Sequence, residues 1–253
     1  MNLTRTFTHF ATACVGGALL ATATICSAQT PATPPVEKKP AWETSAAAGV
    51  TLTRGNSKTL LATANIVTLR KWTRNELSLG ADGAYGENNS VKNNDSLHGF
   101  AQYNRLFSER LFGYARADAM HDAIADVAYR VTLSPGAGYY FLKDKRTTLS
   151  GEVGPGVVFQ RKGGVEDTYM TLRVAEKFEH KLNDRARVWQ ALEFLPQVDN
   201  FSNYIVNAEI GIETSVSAKM TLRTWLQDTY QNEPAAGRQK NDIKLVAGVG
   251  YKF

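Results

Sequence analysis

Residues 242–253 read D-I-K-L-V-A-G-V-G-Y-K-F and are the last of the chain. Successive side chains of a strand point to opposite faces, so one face carries Ile, Leu, Ala, Val, Tyr and Phe. The other face carries the small and polar residues. An apolar face that finishes on aromatic residues is typical of the closing strand of a transmembrane barrel, where aromatic girdles mark both interfaces. An edge strand of a soluble sheet has the same pattern, so the rest of the chain must decide.

The same stretch contains a candidate assembly signal. Gly248, Tyr251 and Phe253 form a G-x-x-Y-x-F pattern that resembles the C-terminal signal by which outer-membrane barrels are recognised for assembly. Val246 stands where that signal usually has a polar residue. We therefore expect the barrel assembly machinery to be a partner of this strand.

The composition permits a membrane barrel. The 253 residues are 43% hydrophobic and 21% charged, with a mean hydropathy of −0.29. No window approaches the ~18 consecutive apolar residues of a helical span. A low mean hydropathy is expected when only alternate strand residues face lipid. The net charge of +5 is too modest to indicate a nucleic-acid partner.

The first residues predict a cleaved secretory signal peptide at 1–28. Arg5 supplies the positive start, residues 10–25 the apolar core, and Cys26, Ser27 and Ala28 the small-residue cleavage site. A soluble amphipathic N-terminus is the alternative. A lipoprotein is disfavoured, because Ile25 precedes Cys26 where acylation requires a small residue.

Cleavage after Ala28 removes both cysteines, Cys14 and Cys26. The mature chain would then have no disulfide, no thiol nucleophile and no cysteine-bound metal. Residues 29–41 contain four prolines and predict an extended periplasmic linker. Residues 42–253 remain for the folded domain.

The pattern from Trp42 onward alternates between apolar and polar residues and is broken by polar turns, which predicts an all-β domain. Most of the predicted strands reach the ~9–11 residues that a tilted strand needs to cross a bilayer. The predicted strands cover residues 42–54, 57–70, 76–86, 95–107, 111–121, 127–141, 147–160, 168–182, 186–199, 203–216, 220–230 and 242–253.

The polar faces of these strands carry many charges, which would be costly in a packed soluble core and are ordinary in a watery lumen. This contrast is the main argument against a soluble β-sandwich. We expect eight charged residues to face the lumen: Arg173, Lys177, Glu179, Arg187, Glu193, Glu209, Glu213 and Arg223.

The connections between predicted strands alternate in length. Every second turn is short, and most of the others are longer, including residues 87–94, 161–167 and 231–241. Short periplasmic turns and longer outer loops are typical of outer-membrane barrels. Pro135 and Pro155 fall inside neighbouring predicted strands and nearly opposite each other, which predicts one shared kink or bulge with a thin, glycine-rich wall.

Candidate catalytic groups are few. Ser96 and His98 share a strand face, but no residue is evident to orient the histidine. His121 and Asp122, with Asp126 nearby, form a second candidate at the rim, although neighbouring strand residues point to opposite faces. We find no phosphate-binding loop and no metal-ligand spacing, and predict no catalytic residue, metal or cofactor. Residues 231–241 could contact a cation or a lipopolysaccharide phosphate.

Several features occur in an order that resembles the YdiY-like salt-induced outer-membrane proteins, a family of uncharacterised barrels. The resemblance covers residues 42–253 and implies fold and location but no activity. It rests on Trp42, the Gly55-Asn56-Ser57 turn, Asn203-Tyr204-Ile205 with Glu209, Gly211 and Glu213, the spaced Asp228, Tyr230, Asn232, Pro234 and Gly237, Lys240-Asn241-Asp242, and Tyr251-Lys252-Phe253.

The sequence therefore predicts a monomeric transmembrane antiparallel β-barrel of about twelve strands in the outer membrane of a Gram-negative envelope. Outer-membrane lipid and lipopolysaccharide are its expected partners. We expect a narrow or closed pore for ions or small solutes, or a structural, stress-related envelope protein. Two alternatives stay open: an outer-membrane barrel hydrolase, acting on protein or lipid from a rim site, and a soluble periplasmic β-sandwich.

Overall fold

The structure, a computed structural model, describes residues 42–53 and 59–252. The predicted signal peptide and linker, the first hairpin turn and Phe253 lie outside the described residues. No helix in the described part of the chain is long and apolar enough to cross a membrane. The described residues form β1 (Trp42–Thr53), β2 (Thr59–Trp72), β3 (Asn75–Asn88), β4 (Val91–Leu106), β5 (Leu111–Asp122), β6 (Val127–Lys143), β7 (Thr147–Lys162), β8 (Val165–Lys181), β9 (Ala186–Pro196), β10 (Tyr204–Ser215), β11 (Met220–Gln231) and β12 (Asn241–Lys252).

These strands form one closed barrel in which each strand pairs antiparallel with its neighbours in sequence. The barrel closes where β1 pairs with β12, from Ser45 opposite Lys252 to Ala48 opposite Val249. The prediction of a single all-β barrel of about twelve strands is confirmed. The two-sheet sandwich is wrong, because this sheet closes on itself. We name the end where β1 begins and β12 finishes the terminus end, and the opposite end the loop end.

The turns at the terminus end share one local motif. In four of them a Ser, Asp or Asn side chain accepts hydrogen bonds from the backbone N–H groups two and three residues later, and a basic residue follows in the turn. Asp144 accepts from Thr147 at 2.6 Å and Arg146 at 2.8 Å. These two backbone bonds hold the pKa of Asp144 below its ordinary value. The motif begins at Ser108, Asp144, Asn183 and Ser217.

The loop end differs from the prediction. Residues 87–94 and 161–167 are not long loops. The strands β3 and β4 extend to a two-residue turn at 89–90, and the strands β7 and β8 extend to a two-residue turn at 163–164. All four turn residues have positive φ, as a type I′ hairpin turn requires. Backbone pairing can extend a strand whose side chains are all polar. The polarity of the side chains therefore predicted hairpin strands that were too short at the loop end. By contrast β9 ends at Pro196, three residues earlier than predicted, and residues 197–203 connect it to β10.

The two prolines lie opposite each other. Leu133 pairs with Val157 and Ala137 with Val153, which places Pro135 across from Pro155, and no pairs form between these two points. The register is the same on both sides, so of the predicted kink or bulge the bulge is wrong, and the interruption is a gap in the ladder. The strand backbones approach closely here: a Cβ on Gly154 would lie 2.1 Å from the carbonyl oxygen of Pro135.

Apolar side chains cover the outside of the barrel. Exposed outward residues include Leu133, Met170, Ile210, Leu222 and Leu245. Near the terminus end the guanidinium of Arg70 lies 5.3 Å from the ring centres of both Trp42 and Trp72. Aromatic residues with a basic partner at one end of an apolar surface match the interfacial girdle of membrane barrels.

Candidate functional site in the barrel lumen

The structure places the eight predicted lumen residues on the inner face of β8–β11. Strand alternation explains this placement, because the residues on either side of them point outward. In β8, for example, Met170, Leu172 and Val174 are exposed outside, while Arg173 is almost fully buried inside. Most of the eight make ion pairs.

Arg173 is the centre of the most buried cluster. Its Nη1 donates to Glu152 Oε2 at 2.8 Å and its Nε donates to Glu193 Oε1 at 2.5 Å. The side chains of Arg173 and Glu152 are 2% and 3% exposed. Lys177 Nζ lies 3.2 Å from Glu152 Oε1, and Asn207 donates to Glu193 at 3.0 Å. Each buried charge therefore has an opposite charge or a hydrogen-bond partner, as burial requires.

A second cluster lies nearer the terminus end. Arg187 pairs with Glu179 at 2.9 Å and with Glu213 at 3.4 Å, and Arg223 Nε lies 3.2 Å from Glu213 Oε2. Both guanidinium groups also lie over the ring of Trp189, at 5.3 and 5.2 Å from its centre. The contact between Arg223 and Glu213 is an ion pair without hydrogen-bond alignment.

Glu209 belongs to neither ion-pair cluster. It accepts a hydrogen bond from the indole Nε1 of Trp189 at 2.5 Å and another from Gln227 at 3.1 Å. The indole ring of Trp189 occupies the space above Gly211, where a Cβ would lie 2.2 Å from the ring. Glycine is therefore needed at position 211 for the tryptophan to lie flat against the wall.

Three sets of hydrogen bonds cross the lumen between strands that lie four or five positions apart around the barrel. Lys177 on β8 donates to Gln102 on β4 at 3.0 Å. Arg130 on β6 donates to Gln231 on β11 at 2.8 Å. Lys244 on β12 donates to Ser96 on β4 at 3.0 Å and lies 3.6 Å from Asp122 on β5. These ties reduce the open cross-section of the lumen at several levels.

Sequence reasoning missed these ties. Gln102, Arg130, Gln231 and Lys244 were not predicted as lumen residues. Their partners lie 75 to 148 residues away for Lys177–Gln102, Arg130–Gln231 and Lys244–Ser96. The available signal was a long polar side chain on the inner face of a predicted strand. It shows which way a side chain points, but not which strand stands across the lumen.

His98 has the orienting partners that the sequence did not reveal. Its Nδ1 lies 3.0 Å from Asp82 Oδ1, and its Nε2 lies 3.4 Å from Asp118 Oδ1. Ser96 shares the inner face but instead hydrogen-bonds to Asn94 and accepts from Lys244. With both ring nitrogens facing carboxylates, His98 is not placed to take a proton from the Ser96 hydroxyl.

His121 and Asp122 point to opposite faces of β5. His121 points outward, where its Nδ1 bonds to the carbonyl oxygen of Ala128 at 2.9 Å. Asp122 points inward and accepts hydrogen bonds from the backbone of Ile124 and Ala125. Within the described ranges, no cluster of His, Cys, Asp or Glu side chains has the geometry to hold a metal ion.

Among the bonds that hold the loop between β11 and β12, one comes from β7 and one lies within the loop. Lys162 donates to the carbonyl oxygen of Glu233, and Lys240 donates to Asn232 at 3.0 Å. Of the proposed assembly signal, Gly248 lies close to β1, where a Cβ would be 2.9 Å from the carbonyl oxygen of Ala48, and Tyr251 is exposed on the outside.

The fold and the lumen define a class: a closed twelve-strand barrel with an apolar exterior and an ion-paired interior. The family described as "Protein of unknown function, DUF481" matches residues 46–253, and the chain belongs to that family. The narrower resemblance to YdiY-like proteins stays a prediction. Among curated proteins, none matches this chain.

Solved structures with a similar fold are outer-membrane barrels. The translocator domain of autotransporter NalP from Neisseria meningitidis is 14% identical, with 84% of this chain and 87% of that chain covered and a TM-score of 0.47. The NanC porin is 7% identical, with 83% and 96% covered and a TM-score of 0.48. The KdgM porin is 8% identical, with 84% and 99% covered and a TM-score of 0.46.

Proposed function

We propose that this protein spans the outer membrane as a monomeric barrel whose bridged lumen admits only inorganic ions and the smallest hydrophilic solutes. The observation that carries the proposal is the set of hydrogen bonds across the lumen, from Lys177 to Gln102, Arg130 to Gln231, and Lys244 to Ser96. Side chains just fill barrels of about eight strands, and barrels of about sixteen leave an open channel. Twelve strands with such bridges fall between these cases.

The membrane placement rests on the outer surface. Large exposed apolar residues occur on many strands around the barrel, including Leu97, Leu133, Val153, Ile212 and Leu245. Contiguous apolar surface of this extent is unusual for a protein in water and expected for one in lipid. Outer-membrane lipid and lipopolysaccharide are therefore its proposed surroundings. We further propose that the barrel assembly machinery recognises Gly248, Tyr251 and Phe253.

The arrangement of charges supports weak ion selectivity. Acidic and basic groups alternate within each lumen cluster, so neither sign dominates the interior. A long acidic or basic solute would find no continuous track of opposite charge. Small ions of either sign are the proposed permeants, and extended polymers are excluded by the ties.

Single-channel conductance in a planar bilayer tests the pore. We expect small steps from the wild type and clearly larger steps from the double variant Gln102→Ala/Lys177→Ala, because this change removes a tie across the lumen. Glu152 keeps Arg173 as its partner in that variant. Arg105→Ala is the matched control, since Arg105 is exposed outside and bonds to Asn75.

Each variant must first show heat-modifiable migration on gels, the mark of a folded barrel. A folded double variant that conducts no better than the wild type would contradict the role of the tie. If neither the wild type nor the double variant conducts, the pore is refuted. The second role suggested by the sequence, a structural envelope protein, then remains.

We propose no catalytic role for the lumen or the rim. The supporting observation is that His98 and His121 both bond to groups other than a hydroxyl nucleophile. Purified folded barrel should hydrolyse neither phospholipid nor peptide. Hydrolysis that disappears in His98→Ala or His121→Ala would overturn this part of the proposal.

A further inference from the structure

The interior of the barrel is not packed evenly. On β7 the inward side chains of Ser150, Glu152, Val158 and Gln160 are all buried, and on β6 Thr132 and Ser134 are buried as well. On β2 and β3 the inward residues from Thr63 to Leu69 and from Ser78 to Ala84 are all half-buried. The inner wall formed by β2 and β3 is therefore more exposed than the inner wall formed by β6 and β7.

The charged groups that face the lumen follow the same division. Asp82 and His98, on β3 and β4, have side chains that are 39% and 36% exposed. The side chain of Lys177 is 42% exposed, although its amine binds Glu152. The side chains of Arg173 and Glu152, further round the barrel, are 2% and 3% exposed. The open space thus has polar groups along one side.

The cross-lumen ties explain why the space lies off centre. They connect β4 with β8, β6 with β11, and β12 with β4 and β5. Among the described residues none of these ties reaches β2. From Thr63 to Leu69 on β2 and from Ser78 to Ala84 on β3, the inward residues are also short or uncharged, apart from Asp82: they are Thr63, Asn65, Val67, Leu69, Ser78, Gly80 and Ala84.

At the loop end the open space meets Lys244. A cavity of about 210 Å³ lies there, and Thr63, Ala84, Asn94, Lys244 and Val246 are among the residues that line it. The amine of Lys244 extends from β12 over the lumen to Ser96 and Asp122. Its side chain keeps 29% exposure, so the tie stands at the border of the accessible space.

We propose that the pore is an off-centre water-filled path along β2 and β3, and that Lys244 restricts its loop-end mouth. This inference rests on the proposed pore and names its route and its narrowing residue. Ions enter past the Lys244 amine and then move between the uncharged wall of β2 and the exposed groups Asp82 and His98. Displacing the Lys244 side chain widens the mouth without disturbing the buried cluster around Arg173.

The route is tested by cysteine accessibility in the full chain with Cys14→Ser and Cys26→Ser. Ser78→Cys lies on the proposed path, and Ser150→Cys is its matched control, an inward serine that is 5% exposed. We expect a small charged methanethiosulfonate to label Ser78→Cys at least about tenfold faster than Ser150→Cys in the folded, inserted barrel, because thiol reactivity follows access. Labelling at Ser78→Cys should also block conductance.

The mouth is tested by Lys244→Met, with Lys240→Met as control. Both changes remove one positive charge near the loop end, but Lys240 bonds to Asn232 within the loop. We expect the conductance of Lys244→Met to rise by about twofold or more, while Lys240→Met stays near the wild type, since pore diameter and lining charge set conduction.

The outcomes separate this inference from the pore itself. If the barrel conducts but Ser150→Cys is labelled as fast as Ser78→Cys, the route is refuted and the pore stands. If Lys244→Met and Lys240→Met have equal conductance, Lys244 does not restrict the mouth. If no variant conducts while Ser78→Cys is labelled rapidly, the pore is refuted and the space is a closed vestibule.

Discussion

The sharpest energetic prediction concerns Arg173→Met. Methionine keeps much of the length of arginine and removes the guanidinium that lies between Glu152 and Glu193. The two bonds that disappear measure 2.8 and 2.5 Å, and Arg173 and Glu152 are both almost inaccessible to water. A carboxylate in such surroundings has no solvent to replace the lost partner.

The size of the effect follows from what the carboxylates retain. Glu152 keeps Lys177 at 3.2 Å and a bond from Gln102 at 2.8 Å, and Glu193 keeps Asn207 and is 18% exposed. Removing one partner of a buried ion pair costs about 3–5 kcal/mol. The remaining partners of Glu152 place the expected loss of unfolding free energy near the lower end, at about 3 kcal/mol.

The assay is reversible denaturant unfolding of the barrel in lipid vesicles, followed by tryptophan fluorescence. Arg161→Met is the control, because Arg161 is exposed on the outside of β7, and surface changes of this kind stay within about 0.5 kcal/mol. Adding Glu152→Gln to Arg173→Met should recover part of the loss, since the uncompensated charge is then absent. A loss below about 1 kcal/mol for Arg173→Met would refute the view that this cluster is dry and structurally required.

Two further predictions concern the wall and its assembly. Gly154→Ala should destabilise the barrel by about 1–3 kcal/mol in the same unfolding assay, because its Cβ would lie 2.1 Å from the backbone oxygen of Pro135. Gly99→Ala, whose nearest contact would be 3.6 Å away, should be tolerated, and equal losses would argue against the close approach at the prolines. Deletion of Phe253 should lower the fraction of heat-modifiable protein in outer membranes while purified chain still refolds in detergent. Unchanged assembly in cells would show that Phe253 is not part of an assembly signal.

The strands were predictable because their signal is local. Alternation of apolar and polar residues depends only on strand geometry, so β5, β6, β7 and β11 begin where the sequence indicated. The inward placement of Arg173 and Glu213 follows from the same rule. A side chain's face is set by the residues beside it, and no knowledge of the closed barrel is needed.

The partners of those side chains were not predictable, because they depend on how the sheet closes. The tie from Lys244 to Ser96 joins residues 148 apart in the chain, and the tie from Arg130 to Gln231 joins residues 101 apart. A change in strand stagger would bring other residues face to face across the lumen. Asp82 and Asp118 were missed for another reason: they lie on the two strands beside His98, only 16 and 20 residues away, and recognising them required the exact register of those hairpins.

The ends of the hairpin strands were not predictable from side-chain polarity. Side-chain polarity placed the ends of β3 and β7 at Gly86 and Gln160, but both strands continue through polar residues to turns at 89–90 and 163–164. Backbone hydrogen bonds hold these extensions, and they require no apolar face. Gly163-Gly164 is itself a type I′ turn signal that the polarity of its neighbours obscured.

The uneven interior follows from which residues the strands present to the lumen. The inner face of β8 presents Arg173 and Lys177, which are long enough to meet partners on β4, β7 and β9. The inner face of β2 presents only uncharged residues between Thr63 and Leu69, none of which can span the lumen. A barrel of fixed strand number has a fixed internal width, so long side chains on one side leave space beside the short ones on the other. The composition of β2 and β3 therefore sets where water can pass, and substitutions there should change conductance before they change stability.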